Sequence, residues 1–305
     1  MTSTFPIKMA IEQLIIGTFN KSFNKYIYDD LIIGQLAHTE FKNGVKKGDE
    51  VDIEMPVLQR LFDYTGGDLP DAEVVTSSST KVRIDRGKAF HFEVKKLDEQ
   101  QIENAPDMKQ KVDLAKRYSE DGIKQFASAI DQAYASLYTR AGHYLDDDGD
   151  AIALDANTAK DILAYMQAKF QRGDGKGHTS WVDGQMVVIV PPEYQFYLGK
   201  LEDLKYVESG HKKMAKGFIG QLCGWDIHVS NNIAQNEDGS MYPLFGIKGK
   251  TLAGGVSSDL NMQHYIPEKN FNTRYKGYGL YGVGAPRADY FGTVKIKAPL
   301  TLKAA

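Results

Sequence analysis

The sequence predicts an α+β protein, and three patterns in it support this fold class. Residues 106–142 place apolar side chains three and four positions apart, which is typical of a long amphipathic α-helix. Residues 39–97 alternate apolar and polar positions in two stretches, as half-buried β-strands do. From residue 157 onward, helical and strand-like segments are mixed, without an internal repeat of about 20 to 50 residues. We therefore expect one interrupted domain together with an extended hairpin.

The helix predicted over residues 106–142 is long enough to cross the whole molecule. At about 1.5 Å per residue it measures roughly 54 Å, and a compact chain of this size is about 50 Å across. Pro106 suits a helix start and Gly142 suits a C-terminal cap. Few charges interrupt its second half, so we expect this spine helix to pack on more than one side. Its predicted core stripe comprises Val112, Ile123, Phe126, Ile130 and Leu137.

The composition is that of a soluble globular protein. The 305 residues are 42% hydrophobic and 25% charged, and the net charge of −3 argues against a dedicated nucleic-acid binder, which would be basic. The single Cys223 excludes an internal disulfide and is typical of a reducing compartment. The apolar run at residues 11–17 is too short to span a bilayer, and no signal peptide precedes it. We therefore expect a soluble protein that is made in the cytoplasm and has no membrane partner.

The region before the spine helix is predicted to need a partner. A short helix is expected over residues 6–23, followed by a two-stranded extended loop over residues 39–97. A hairpin of two strands is marginally stable alone, and its exposed edges favour pairing with another chain. No helix in the flanking sequence is placed to cover the apolar face of this hairpin. We therefore predict an intersubunit contact made by Val51, Ile53, Val57, Phe90, Phe92 and Val94.

The rest of the chain is predicted to mix helices and strands up to a glycine-rich end. Residues 146–150 form an acidic linker, and the apolar run at residues 186–190 is typical of a buried strand because two prolines end it. Helices are expected over residues 157–170 and 193–205, further strands over 225–233 and 243–249, and short strands separated by glycines over 270–297.

The motifs that would carry catalysis or cofactor binding are incomplete. Gly277, Gly279 and Gly282 fit G-x-G-x-x-G, but Gly284 and Pro286 exclude the helix that a dinucleotide site needs. Glycine-rich strands in a close-packed sheet are the better interpretation. Residues 246–251 are two positions short of a phosphate-binding loop, and residues 146–157 lack the Gly and Glu of a calcium loop. With scattered histidines and one cysteine, we predict no catalytic, cofactor-binding or metal-binding residues and no enzyme activity.

Four stretches of the chain carry a family resemblance because they occur in a fixed order. They are KVRIDRGKAFHFEVKKLDEQQ, VVIVPPEYQFYLGKLEDLKYV, KGFIGQLCGWDIHVSNNI and FNTRYKGYGLYGVGAPRADYFGTV. Together they resemble the major capsid (coat) proteins of tailed bacteriophages with the Hong Kong 97 fold, over about residues 40–298. The first is similar to the returning strand of that family's extended loop, the second and third to its axial domain, and the fourth to its closing strands.

The resemblance implies an α+β, Hong Kong 97-like fold in four parts. These are an N-terminal arm (1–38), an extended β-hairpin loop (39–97), a peripheral domain with the spine helix (98–143 and 270–305) and an axial domain (144–269). The implied function is self-assembly into the hexamers and pentamers of an icosahedral phage head that encloses double-stranded DNA without sequence-specific binding. The implied location is the virion, after assembly in the host cytoplasm.

The implied partners are copies of the chain itself, a separate scaffolding protein, a portal and a decoration protein. The scaffolding protein is expected because no long N-terminal extension is present to act as a built-in scaffold. No lysine and asparagine partners for covalent cross-linking can be identified. Three alternatives stay open: an encapsulin-like shell that stores an enzyme, an α+β enzyme with a site between its α/β parts, and a ligand-binding or adhesin module.

Overall fold

The computed structural model describes residues 31–38, 50–55, 78–95, 122, 124–172, 184–201, 217–256, 261–269 and 271–299. Two main sheets account for most of the strands in these ranges, and one α-helix packs against the five-stranded sheet. The strands are β1 (Ala37–His38), β2 (Glu50–Met55), β3 (Ser78–Arg83), β4 (Arg86–Val94), β5 (His143–Leu145), β6 (Ile152–Ala153), β7 (Met186–Val190), β8 (Phe218–Leu222), β9 (Trp225–Val229), β10 (Leu244–Ile247), β11 (Leu252–Val256), β12 (Asn261–Tyr265), β13 (Thr273–Gly284), β14 (Phe291–Val294) and β15 (Ile296–Lys297). The α-helices are α1 (124–135), α2 (Ala156–Arg172) and α3 (Pro192–Leu198), and 3-10 helices lie at Ile33–Leu36, Ser136–Arg140 and Ala288–Tyr290.

The five-stranded sheet is built around the long strand β13. Strand β4 pairs along one edge of β13, and β11 and β12 follow one another along its other edge, all antiparallel. Helix α1 covers one face of this sheet. Its Phe126 ring lies over Gly279, where a Cβ would come 2.6 Å from the Phe126 Cζ, and it meets the Tyr281 ring edge-on at 6.1 Å between centroids. The glycine therefore provides the space that a large aromatic side chain of the helix fills.

The six-stranded sheet has the strand order β5-β14-β10-β7-β9-β8. Every residue of its inner strand β7 is buried, which is why the sequence there is apolar without alternation. Helix α2 packs on this sheet through Phe170, whose ring meets the Trp225 ring edge-on at 5.3 Å between centroids. Helix α3 is joined to α2 by the Tyr194 hydroxyl, which donates to the Ala159 carbonyl over 2.7 Å.

The sequence predicted several of these elements where the structure has them. The helix expected over residues 157–170 is confirmed as α2, and the strand expected over residues 186–190 is confirmed as β7. In the spine, Phe126, Ile130 and Leu137 are buried, while Val112 and Ile123 lie outside the described residues. The α-helix ends at residue 135 and continues as a 3-10 helix to Arg140, so regular α-helix does not reach Gly142.

Two predictions about strands are wrong. Residues 90–94 do not belong to the hairpin of the extended loop, because β2 pairs with β3 and β4 pairs with β13 instead. The glycine-rich end is not a series of short strands up to residue 284, because residues 273–284 form the single strand β13. Glycine did not break this strand because aromatic rings such as those of Phe90 and Phe126 pack over its glycines and hold them in the sheet.

Candidate functional site

The described residues contain no cluster of three or more His, Cys, Asp or Glu side chains that could hold a metal ion. The three glycines of the G-x-G-x-x-G pattern lie inside β13, so the interpretation as glycine-rich strand is confirmed. Residues 246–251 use their backbone N–H groups within a tight turn, since the Ile247 N–H donates to the Thr251 hydroxyl and the Lys250 N–H to the Ile247 carbonyl. Among the helices that the structure describes, none is long and apolar enough to cross a membrane. The candidate sites described below are exposed surfaces and contacts between different segments of the chain.

The acidic residues at 146–150 form a tight turn. The Asp147 and Asp150 backbones bond to each other, and Asp148 and Gly149 adopt the left-handed conformation, with φ of 48° and 93°. The Asp147, Asp148 and Asp150 side chains are exposed. The Lys295 ammonium donates to the Gly149 carbonyl over 2.8 Å. This arrangement has the geometry of a solvated turn.

The base of the β2–β3 hairpin crosses the end of β13. Val82 and Ile84 are buried there, with 4% and 1% of their surface exposed. They fit because β13 has glycine at the contact. A Cβ at Gly284 would lie 2.6 Å from Val82 Cγ2, and one at Gly282 would lie 2.5 Å from the Arg83 carbonyl oxygen. The hairpin is therefore anchored in the core of its own subunit at this end.

We expect Gly282→Ala to destabilise the subunit by about 1–3 kcal/mol, because the new methyl group would meet backbone atoms that cannot rotate away. The matched control is Gly87→Ala in the neighbouring strand β4. There the nearest atom to the methyl group would be the end of the flexible Leu280 side chain, at 3.2 Å, and the Gly279 carbonyl oxygen would be in ordinary contact at 3.8 Å. Urea unfolding of both variants measures the difference. Equal unfolding free energies would mean that the hairpin base does not rest on β13.

The six predicted contact residues do not share one face. Val51 and Ile53 belong to the separate β2–β3 sheet, and Val57 lies outside the described residues. Phe90 and Phe92 belong to β4, where both are half-buried, and the Phe92 ring stacks on Tyr275 at 5.3 Å between centroids. Val94 is opposite Thr273 in the same sheet. Contact of any of the six residues with a second subunit stays a prediction.

An open groove lies on the face of the five-stranded sheet that α1 does not cover. It has a volume of about 400 Å³ and is lined by Ala89, Phe90, His91, Gln263, Tyr265, Lys276, Gly277 and Tyr278. The His91 and Tyr265 rings stack at 6.1 Å between centroids, and the Lys276 ammonium lies 5.5 Å from the Tyr265 ring centre. Tyr278 is 46% exposed. We call this surface the aromatic groove.

Large apolar side chains are also exposed next to the aromatic groove. The loop after β12 carries Ile266 and Phe271, which are 46% and 83% exposed. Exposed apolar groups that lie together on a protein surface are typical of an interaction site. The groove and this loop are therefore the described surface best suited to contact another protein.

Residues 31–38, which we call the strap, are bound by a buried carboxylate of α1. The backbone N–H groups of Ile32, Ile33 and Gly34 donate to the Asp131 carboxylate over 2.9, 3.1 and 3.2 Å. The Asn232 side chain also bonds to Asp131, which is only 1% exposed. Burial raises the pKa of Asp131 to about 6, although these hydrogen bonds lower it.

The strap also contacts both main sheets. The Gln35 side-chain amide lies 3.4 Å from Nδ1 of His228 in β9, and the Gln35 carbonyl accepts from the Gly249 N–H over 3.0 Å. The strap ends as β1, which pairs in parallel with β11. The strap thus joins α1, the six-stranded sheet and the five-stranded sheet.

Sequence reasoning missed the strap and Asp131. The available signal was that Asp131 is the one charged residue in the otherwise uncharged segment from Phe126 to Tyr138. An acidic residue inside the apolar half of a helix needs buried donors, because an isolated buried charge is costly. Which segment supplies those donors cannot be read from the helix itself.

No protein-family model and no curated protein matches the chain. Solved structures do match it. A structure of Mycobacterium phage Che8 is 19% identical, covers 87% of this chain and 90% of its own, and has a TM-score of 0.61. The capsid of the cyanophage P-SCSP1u is 13% identical, with 89% of each chain covered and a TM-score of 0.60. The fold is the Hong Kong 97 capsid fold.

An encapsulin structure also matches the chain. The holo-SrpI encapsulin complex from Synechococcus elongatus PCC 7942 is 11% identical, with 90% of each chain covered and a TM-score of 0.51. Identities of 11% and 19% establish a shared fold and nothing about contents or partners. In the Hong Kong 97 fold of this chain, the spine helix and the aromatic groove lie on opposite faces of the five-stranded sheet.

Proposed function

We propose that this protein is a capsid-shell subunit that assembles with copies of itself into the icosahedral head of a tailed phage. The observation that carries the proposal is the fold shared with phage capsid structures over nearly nine tenths of the chain, at TM-scores of 0.60 and 0.61. Fold alone does not determine function. The exposed aromatic side chains add support.

The surfaces of the subunit suit head-to-tail assembly. A closed shell needs heterologous contacts, in which two different patches meet and the rotation between copies closes a ring. The β2–β3 hairpin supplies one patch, because it forms a separate two-stranded sheet whose base packs on the five-stranded sheet. The aromatic groove and Phe271 supply apolar surface of the kind that a neighbouring subunit would cover.

The proposed contents are double-stranded DNA held without sequence-specific binding. With a net charge of −3 the subunit has no overall positive charge to attract phosphates, so DNA would be enclosed rather than bound tightly. The proposed partners are a scaffolding protein, a portal and a decoration protein. The same proposal includes an intersubunit role for the extended loop, the division into peripheral and axial domains, and assembly in the host cytoplasm.

Light scattering and negative-stain electron microscopy of the chain, co-expressed with its scaffolding protein, test the proposal. We expect closed particles or capsomer rings of very high mass. A monomer at every concentration would contradict assembly, and catalytic turnover by that monomer would favour the enzyme alternative. Closed particles that hold a cargo enzyme in place of nuclease-protected DNA would favour the encapsulin-like alternative. The similarity in fold to the encapsulin complex is the reason to test for it.

A further inference from the structure

Phe271 is the most exposed large apolar side chain among the residues that the structure describes, with 83% of its surface accessible. It does not line the aromatic groove of its own subunit, whose walls come from β4, β12 and β13. We propose that Phe271 of one copy of the chain inserts into the aromatic groove of a second copy. This inference rests on the proposed self-assembly and names two surfaces that meet in it.

The walls of the groove are already in place in the isolated subunit. Nε2 of His91 lies 3.1 Å from the Tyr265 hydroxyl, and the Arg274 side chain also bonds to Tyr265. The Lys276 ammonium lies 5.5 Å from the centre of the Tyr265 ring. The groove volume of about 400 Å³ is within the range of pockets that hold small ligands, about 300 to 1,000 Å³. A site built in advance loses little conformational entropy when it is filled.

The chemistry of the groove suits an aromatic side chain. Tyr265 and Tyr278 are 38% and 46% exposed, so each ring offers open surface to a third ring. Aromatic rings favour offset-stacked or edge-to-face contacts with one another, and they dominate the energetics of many protein interfaces. Insertion of Phe271 would cover three exposed aromatic side chains in one contact.

The charges beside these two surfaces are complementary. Lys276 of the groove is exposed, and Glu93, the acidic side chain on the same face of β4, is already bound by Nε of Arg274 over 2.6 Å. The loop that carries Phe271 offers Glu268, which is exposed as well. Among the described residues that line the groove, none is acidic, so Lys269 of the same loop has no partner there. Glu268 of the inserting copy is therefore positioned in sequence to pair with Lys276 of the other copy.

The size of the contact favours a second copy of the chain as the occupant. One inserted side chain buries far less surface than the roughly 1,200 Å² at which stable interfaces begin. A free partner would therefore bind too weakly to stay. In an assembly, other contacts hold the copies together, and this contact forms at a high effective concentration. Each copy carries both the inserting side chain and the groove, so the contact can be repeated throughout a shell.

Photo-cross-linking of the assembled full-length chain tests the contact directly. Phe271→p-benzoylphenylalanine keeps an aromatic side chain at this position, and mixing unlabelled with isotope-labelled subunits before assembly identifies cross-links between copies. We expect mixed-label cross-links from position 271 to the peptides that contain Tyr265 or Tyr278. Cross-links within one copy only, cross-links to peptides outside the groove, or none at all would overturn the inference. A wild-type chain that does not assemble would contradict the proposed function instead.

Variants of the two surfaces measure what the contact contributes. Phe271→Ala removes the inserted side chain, and Ala89→Trp fills the groove from an exposed position of β4. Each should raise the protein concentration needed for assembly at least about tenfold while leaving the melting temperature unchanged. Tyr165→Ala, which removes an exposed aromatic side chain from α2, is the matched control and should leave that concentration unchanged. Assembly of either groove or Phe271 variant at the wild-type concentration would count against the contact.

A charge exchange tests the register of the contact. Glu268→Lys and Lys276→Glu should each raise the assembly concentration, because each places two like charges together. The double variant carries opposite charges again and should return towards the wild-type concentration. Lys269→Gln is the control, with no change expected. Sedimentation velocity of the four variants beside the wild type gives the comparison. A double variant that assembles no better than the worse single variant would overturn the pairing of this loop with the groove.

Discussion

Replacing Trp225 with alanine is expected to lower the free energy of unfolding by about 4–5 kcal/mol. Loss of a fully buried tryptophan side chain costs about 3–5 kcal/mol through lost burial and the cavity that remains. The Trp225 ring is not exposed and meets the rings of Phe170 and Phe245 edge-on, at 5.3 and 5.2 Å between centroids. Its Nε1 also donates to the Leu163 carbonyl over 3.0 Å, and that carbonyl would lose a buried donor.

Two controls separate these contributions. Trp225→Phe keeps an aromatic ring between the same neighbours but removes the donor, so a loss of about 1–2 kcal/mol is expected. Tyr165→Ala removes an aromatic side chain from the exposed side of α2, where it is 45% exposed, and should cost under about 1 kcal/mol. Urea unfolding of the soluble subunit gives all three values. A Trp225→Ala variant with the stability of the Tyr165 control would mean that α2 does not pack on this sheet.

The pattern of apolar residues predicted the two elements whose buried positions repeat regularly along the sequence, β7 and α2. The run Met186–Val190 is apolar throughout because β7 is an inner strand with both faces covered, and the prolines that follow stop it. Helix α2 was predictable because its buried positions Ile162, Leu163, Met166 and Phe170 recur at helical spacing. In both cases the spacing of apolar residues within the element itself indicates which residues are buried.

Strand partners could not be predicted in the same way. Alternation of apolar residues shows that a strand has a buried face, and it does not show which strand lies beside it. Strand β4 pairs with β13, so Phe92 lies opposite Tyr275 although more than half of the chain separates these two residues in sequence. The partner of β2 is β3, the next strand in the sequence, whereas the partner of β4 lies far along the chain.

The candidate site was predictable only in outline. The sequence placed Phe90 and Phe92 correctly in a strand, while the need of the extended loop for a partner stays a prediction. It did not predict that Val82 and Ile84 anchor the loop on Gly282 and Gly284, because that contact depends on glycines about 200 positions away. The aromatic groove likewise forms only when β4 and β12 flank β13.

This anchor determines how the role of the loop has to be tested. Removing the whole loop would also remove buried Val82 and Ile84 and would damage the subunit itself. Met55 and Ser78 are opposite each other at the far end of the β2–β3 ladder, so the segment between them can be replaced by Asn-Gly. A two-residue turn of this type matches the twist of an antiparallel pair. The variant keeps the anchor and loses only residues 56–77.

Replacing residues 56–77 with Asn-Gly is expected to leave the unfolding midpoint within about 2 °C of the wild type, because the anchored base is retained. Shell formation should fail. The removed segment carries Val57, Leu58, Leu61 and Phe62, and burial of each against a neighbour would contribute about 1.5–3 kcal/mol. Losing even 4 kcal/mol per contact would raise the concentration needed for assembly by roughly a thousandfold.

Circular dichroism and electron microscopy of one preparation, with scaffolding protein present, measure folding and assembly together. The control replaces Asp147 and Asp148 with asparagine in the exposed turn, which should leave both readouts unchanged because these side chains are exposed. If the shortened chain melts well below the wild type, residues 56–77 contribute to the core of their own subunit. If it folds normally and still closes shells at the wild-type concentration, the loop does not hold neighbouring subunits together. The contact must then be made by another surface, and the aromatic groove and Phe271 are the first candidates.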